Sequence, residues 1–216
     1  MAYDTALRHH IRPDEALTGR GNVLHLLGRS EEALYAYESA LQYNDQNAAA
    51  HYGRALILAE QTRYSPALTA YERALQLQPG FVEASCGKGD VLYQQKAYLP
   101  ALAAYDQALR ADPTYVNAHY GKADALMQLK RIQEAQEAYK LALQYDRPEH
   151  PSLRQGDALF FLARYSEALA VYEQLLQLDP VNPDLHERRG NALKKLGQTQ
   201  EARAAYQHAD KLRGYV

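Results

Sequence analysis

The sequence predicts an all-α fold, an α-solenoid of antiparallel helix pairs, and three periodic signals carry that prediction. Tyrosine recurs at Tyr3, Tyr37, Tyr71, Tyr105, Tyr139, Tyr172 and Tyr206, at intervals of 34, 34, 34, 34, 33 and 34 residues. A period of this kind marks a supersecondary unit that cannot bury its own apolar face and becomes stable by stacking on its neighbours. Small residues keep the same register: Gly21, Ala55, Gly89, Ala123, Gly156 and Gly190 each precede a tyrosine by sixteen residues, where a narrow side chain lets two helices approach closely. Alanine stands four residues before each tyrosine from the second onward (Ala33, Ala67, Ala101, Ala135, Ala168, Ala202). Three residues after the tyrosines come Ala6, Ala40, Ala74, Ala108, Ala142 and Ala209, with Leu175 the exception. Spacings of three and four put this set on one helix face.

The units follow in order. Residues 1–13 read as the second helix of a truncated repeat, because Tyr3-Asp4-Thr5-Ala6-Leu7 aligns with Tyr37-Glu38-Ser39-Ala40-Leu41 one period later. Six full units occupy 14–47, 48–81, 82–115, 116–148, 149–182 and 183–216, with one residue lost near Pro151. A repeat array is one continuous domain whatever its length. Turn chemistry closes units at Gln78-Pro79-Gly80, Asp112-Pro113, Arg147-Pro148 and Asp179-Pro180, because proline cannot continue a helix. Each unit is therefore two antiparallel helices, which predicts thirteen helices and no strand, counting the leading half-unit at about 3–11. The final helix carries Tyr206, Ala209 and Leu212, and no polar capping helix follows it. The chain thus reads as a piece excised from a longer protein, the alternatives being a natural short protein and a designed array. Open ends of this kind favour self-association.

Composition excludes several function classes. With 24 basic and 26 acidic residues among 216, and a net charge of −2, the chain gives no electrostatic reason to bind nucleic acid. Lone Cys86 rules out an internal disulfide and a cysteine-based zinc site. No apolar run is long enough to span a membrane, and Met1–Pro13 lacks the apolar stretch of a signal peptide. A cytoplasmic setting is the default. Glycine-rich phosphate loops, HExxH and GxSxG are missing, so the sequence argues for no catalysis, cofactor or metal.

This pattern resembles the tetratricopeptide repeat, a helix-turn-helix with small residues at positions 8, 20 and 27, an aromatic at 24 and proline at 32. The large aromatic the family prefers at position 4 is replaced by Leu17, His51, Ser85, His119, Ser152 and His186. The resemblance implies a right-handed superhelix whose first helices carry core contacts at positions 4, 7, 8 and 11. Their opposite face, at positions 2, 5, 6, 9, 12 and 13, lines a concave peptide-binding groove. Position 5 holds Thr18, Tyr52, Cys86, Tyr120, Leu153 and Glu187, and position 12 holds His25, Ala59, Tyr93, Met127, Phe160 and Lys194. Aromatic and apolar side chains on a wet face suit binding; the alternative is that these rings pack on one another. Position 9 runs Asn22, Leu56, Asp90, Asp124, Asp157, Asn191, so three aspartates form a ladder that a cationic ligand would relieve, unless they pair with Lys88, Lys122 or Arg154. Position 6 holds Gly19, Gly53, Gly87 and Gly121 before switching to Arg154 and Arg188, which suggests room left for a ligand or close helix packing. With Lys194 and Lys195, those arginines make the groove basic at its end.

The candidate groove residues are therefore Tyr52, Asp90, Tyr93, Tyr120, Asp124, Met127, Arg154, Asp157, Phe160, Arg188 and Lys194. Family members that clamp chaperone C-termini carry Lys and Asn at positions 5 and 9, Asn at 6, then Lys and Arg at 2 and 6 of successive repeats. Thr18, Asn22, Gly53, Glu83 and Gly87, or Tyr120, Asp124, Arg154, Asp184 and Arg188, match at one position each at most, which argues against that role. The position 4 histidines read as packing residues and Cys86 as a small apolar filler. The function implied is a non-catalytic scaffold that binds a protein or peptide partner of basic character, with no nucleic acid or membrane. The alternatives are a regulatory or scaffolding segment of a larger multidomain enzyme, such as a bacterial signalling kinase, and a self-assembly element.

Overall fold

The computed structural model describes residues 12–146 and 151–214. Twelve α-helices and no strand are found among the described residues: α1 (Pro13–Leu26), α2 (Ser30–Tyr43), α3 (Ala48–Glu60), α4 (Tyr64–Leu77), α5 (Val82–Gln94), α6 (Tyr98–Ala111), α7 (Val116–Gln128), α8 (Ile132–Tyr145), α9 (Leu153–Phe161), α10 (Tyr165–Leu178), α11 (Pro183–Lys195) and α12 (Thr199–Leu212). Odd-numbered helices are the first helices of the six repeats and even-numbered ones the second. The half-unit helix expected at 3–11 lies outside the described residues. The chain forms two compact units, one ending at Lys130 and one beginning at Arg131.

Short polar side chains start several first helices. Asn47 Oδ1 accepts from the Ala50 amide at 2.9 Å, Ser152 Oγ from Gln155 at 3.1 Å, and Asn182 Oδ1 from Leu185 at 3.2 Å. All six first helices end in the same way. One residue adopts a left-handed conformation: Gly28 (φ 72°), Thr62 (59°), Lys96 (61°), Lys130 (59°), Ala163 (60°) or Gly197 (80°). Its amide returns to a carbonyl three residues back, as Gly28 does to His25 at 2.9 Å and Ala163 to Phe160 at 3.0 Å. The next amide reaches five residues back, as in Arg29 to Leu24 and Ala97 to Leu92, both 2.9 Å, which satisfies carbonyls that helix ends leave orphaned. The proline turns read in the sequence mark junctions between repeats. These turns inside the repeats use ordinary residues at four of six sites and left no comparable signal.

The periodic tyrosines are the main wedges of each unit. Tyr37, Tyr71, Tyr105 and Tyr172 are fully buried. A Cβ at Gly21 would lie 2.5 Å from the Tyr37 ring, and one at Gly53 on the following first helix would be closer still. Tyr105 is gripped in the same manner, with 2.6 Å to a Cβ at Gly89 and 2.5 Å to one at Gly121. Gly87 lies equally close against Tyr71. The position 6 glycines Gly53, Gly87 and Gly121 thus leave room for the tyrosine of the preceding repeat. The space is filled, so the reading of it as room for a ligand is corrected.

Two further contacts stitch repeats together. Position 7, expected to be a core contact, carries cations that pair with the preceding second helix: Lys88 with Glu72 at 2.9 Å and Lys122 with Asp106 at 2.7 Å in the first unit, and Arg189 with Glu173 at 3.1 Å in the second. Their long aliphatic stems still cover apolar surface. At position 4, His51 Nε2 donates to the Asp45 carbonyl at 3.0 Å, His119 to Pro113 at 2.8 Å and His186 to Pro180 at 2.9 Å, so these histidines clip the linker between repeats.

Two outcomes follow for stability. Gly121→Ala should lower it by about 1–3 kcal/mol, the usual cost of overpacking, whereas Ala163→Gly should raise it by up to about 1 kcal/mol through release of a left-handed non-glycine residue; urea titration measures both. Burial, the leading cause, with Arg54 and Arg73 nearby, holds His51 below the ordinary histidine value of 6.5. The folded chain therefore binds fewer protons than the unfolded chain in that range, so stability is complete above pH 6.5 and declines as pH falls below it. The thermal midpoint of His51→Gln should change less between about pH 7.5 and about pH 5.5 than that of the wild type, at roughly the slope one titrating group carries.

Candidate functional site

In the first unit the expected groove residues fall into three situations. Tyr120 and Cys86, each 2% exposed, belong to the core, so the expectation of a wet face at position 5 is corrected there. Tyr52 is half-buried, its ring 4.9 Å from Phe81 and 6.1 Å from Tyr71, and burial pushes its hydroxyl up to about 12. Position 5 is dry because linker residues close over it: Phe81 covers Tyr52, and Tyr115 joins the cluster around Cys86 and Tyr105. At position 12, Tyr93 is half-buried and meets Tyr98 edge-on at 5.5 Å, while Met127 is half-buried on α7.

The position 9 column answers a need created by the tyrosines. A buried hydroxyl requires an acceptor, and Tyr37 donates to Asn22 Oδ1 at 2.8 Å and Tyr105 to Asp90 Oδ1 at 2.8 Å. Burial pushes the Tyr37 hydroxyl up to about 12, so it stays a neutral donor. Asp124 is half-buried on α7. Lys88 and Lys122, read as possible partners of this column, pair with Glu72 and Asp106 instead.

The second unit repeats the device and adds a charge. Tyr172 donates to Asp157 Oδ1 at 2.8 Å, and Tyr206 to Asn191 Oδ1 at 2.8 Å. Position 6 of α11 is Arg188, whose Nε donates to Asp157 Oδ1 at 2.8 Å and Oδ2 at 3.2 Å. Tyr172 is held well above its ordinary value by burial first and by the Asp157 carboxylate second. Arg154, read as one possible partner of the aspartate column, is exposed on α9, as Lys194 is on α11. Phe160 meets Tyr165 edge-on at 5.3 Å. Asp157, Phe160, Tyr172, Glu187, Arg188 and Asn191 together line a concavity of about 330 Å³. The structure thus unites three candidates, Asp157, Phe160 and Arg188, and adds Glu187 and Asn191. Arg154 and Lys194 are not among its lining residues.

Stacked helix pairs that share this wedge define a helical repeat protein of the solenoid class. Family models agree. One described as TPR repeat matches residues 21–62 and 156–197, and two described as Tetratricopeptide repeat match 52–116 with 86–151, and 183–214. The chain belongs to the tetratricopeptide repeat family, whose fold generally mediates protein–protein interaction. Among solved structures it is similar to TTC0263, a thermophilic TPR protein of Thermus thermophilus, at 25% identity and a TM-score of 0.66, over 83% of this chain and 98% of that one. It is similar in fold to Pseudomonas aeruginosa PilF (21% identity, TM-score 0.76, 98% and 94% coverage) and to YrrB, described as a TPR protein with an unusual peptide-binding site (16%, 0.60, 99% and 93%). No curated protein matches the sequence. No helix among the described residues is long and apolar enough to cross a membrane.

Deleting the Tyr172 hydroxyl should cost about 0.5–1.5 kcal/mol, since Arg188 still satisfies the carboxylate. Asp157→Ala should cost more, about 1.5–3 kcal/mol, because it strands the hydroxyl and the guanidinium together. Chemical denaturation of Tyr172→Phe, Asp157→Ala and the double variant would show a coupled cycle rather than two additive losses.

Proposed function

We propose that the chain is a non-catalytic scaffold that binds an extended peptide segment of a protein partner along the groove-facing side of its first helices. The observation that carries this reading is the concavity of the second unit. An apolar ring, Phe160, lies beside acceptors on Asp157 and Glu187 and donors on Arg188 and Asn191. Such a surface suits an apolar side chain together with the amides and carbonyls of the backbone that carries it. In the first unit Asp90 accepts from the Tyr105 hydroxyl at 2.8 Å. The acids of position 9 in that unit, Asp90 and Asp124, favour a ligand with lysine or arginine, while Tyr93 and Met127 supply apolar contact there and Phe160 does so in the second unit. Exposed ion pairs contribute only about 0–1 kcal/mol each, so the aspartates give selectivity and the apolar contacts most of the affinity.

A peptide array probed with the wild type, with Phe160→Ala and with Asp90→Asn/Asp124→Asn tests the reading. The expected result is weaker binding of all positive peptides by Phe160→Ala, about tenfold in the manner of an aromatic anchor, and loss of the basic preference in the double variant. Binding lost only on substitution of outward second-helix residues such as Glu137 and Lys140 would overturn it.

A further inference from the structure

A second concavity in the same unit is lined mostly by leucine. Leu153, Leu175, Leu178 and Leu185 line a cleft of about 300 Å³, rimmed by Asp179, Asn182 and Asp184. In the first unit a notch that shares positions 5, 31 and 34 with it has Thr18, Asn44 and Asn47 there, and with Asp14 these side chains satisfy one another: Asn44 and Asn47 donate to Asp14 at 2.8 and 3.1 Å, and Asn47 to Thr18 at 3.2 Å. In the leucine cleft position 5 is Leu153, and the rim keeps one internal bond, from Asn182 to Asp179 at 2.9 Å. Leu178 is 77% and the adjacent linker residue Val181 68% exposed, so apolar surface faces water beside an acidic rim.

The rim already holds a cation. Arg213, which follows α12, places Nη2 at 2.6 Å from Asp184 and 2.7 Å from Glu187. Its hydrogen bonds to both carboxylates hold the guanidinium well above its ordinary value. Asp184 lines the leucine cleft and Glu187 lines the Phe160 concavity, so this carboxylate pair sits between the two. They lie one helical turn apart and face the same way.

We infer that the leucine cleft and the Asp184–Glu187 pair form a recognition site for an extended peptide carrying an aliphatic residue within two positions of an arginine, and that Arg213 is its built-in competitor. The inference rests on the groove reading and adds a motif and a regulatory contact to it. An aliphatic side chain fills the cleft, and side chains two residues apart in an extended strand point the same way. The ligand guanidinium then replaces that of Arg213 on the two carboxylates. The exchange conserves the number of ion pairs, so the apolar cleft supplies the net driving force and the acidic pair fixes the register.

Fluorescence polarisation of the full chain with a labelled decapeptide containing Leu-Ser-Arg in a Gly/Ser background tests this, with Leu→Ser and Arg→Gln versions as controls. The expected results are tighter binding by Arg213→Ala, about three- to tenfold for the loss of one exposed competitor, and loss of the arginine preference in Asp184→Asn/Glu187→Gln with the leucine preference retained. Leu178→Ser should remove the leucine preference, and its exposed site keeps the fold intact. Phe160→Ala should weaken binding while preserving both preferences, which separates this site from the general groove reading. Unchanged or weaker binding by Arg213→Ala overturns the inference. So does concentration-dependent self-association abolished by Leu178→Ser, since a second copy would then own the cleft.

Discussion

A tyrosine ring inserted where two helices leave no space for a Cβ is the contact on which this structure depends. Tyr37 and Tyr105 each sit between two glycines, one on their own repeat's first helix and one on the next. A single side chain therefore fixes both the pairing within a repeat and the stacking between repeats. Glycine in a helix interior costs roughly 0.5–1 kcal/mol relative to alanine, and burial of a ring of this size offsets that severalfold. The wedge also brings a hydroxyl inside, and a buried hydroxyl has to find an acceptor. Asn22, Asp90, Asp157 and Asn191 meet that need from the first helix of the same repeat. The polar character of the groove-facing side is thus partly a consequence of core packing.

Substitution within the wedge generates local differences in surface. At Gly53, Gly87 and Gly121 the ring of the preceding tyrosine fills the gap. Arginine at the same position in α11 cannot pack that way, and its head group turns to Asp157 instead. The result is the concavity bounded by Phe160, Glu187 and Asn191, a feature of the second unit. The histidine clips alternate in the same combinatorial way, occurring at position 4 of every second repeat and binding the linker carbonyl. One scaffold thereby presents different surfaces in different repeats.

Much of the fold was legible because a 34-residue period reports directly on stacking, and small residues in fixed columns report on close approach. Helix identity and the burial of Tyr37, Tyr71, Tyr105 and Tyr172 follow from that. The misreadings share one cause. Helical periodicity assigns a side chain to a face of its own helix, but not to what another segment lays over that face. Tyr120 and Cys86 point toward the groove by periodicity and are nevertheless buried. Gly53 and Gly121 look like vacancies until the ring of the previous repeat is placed in them. Lys88, Lys122 and Arg189 occupy an apparent core column yet find acids on the preceding second helix. Each of these partners is remote in sequence, beyond any local pattern. The left-handed turn was hidden for a different reason, since threonine, lysine and alanine take the conformation that usually announces itself as glycine.

The double duty of the groove residues constrains what binding there can be. Asp157 already accepts from Tyr172 and from Arg188, so a ligand cation that approaches it joins an existing network. Full replacement of those donors would leave a buried hydroxyl or a half-buried guanidinium unsatisfied, at about 1–3 kcal/mol. A ligand gains more by sharing the network than by breaking it. Asp184 and Glu187 differ, because the arginine they hold, Arg213, can return to solvent at little cost. In the proposed binding mode, acidic residues that support the core orient a ligand, whereas those that hold only a surface arginine exchange it for one.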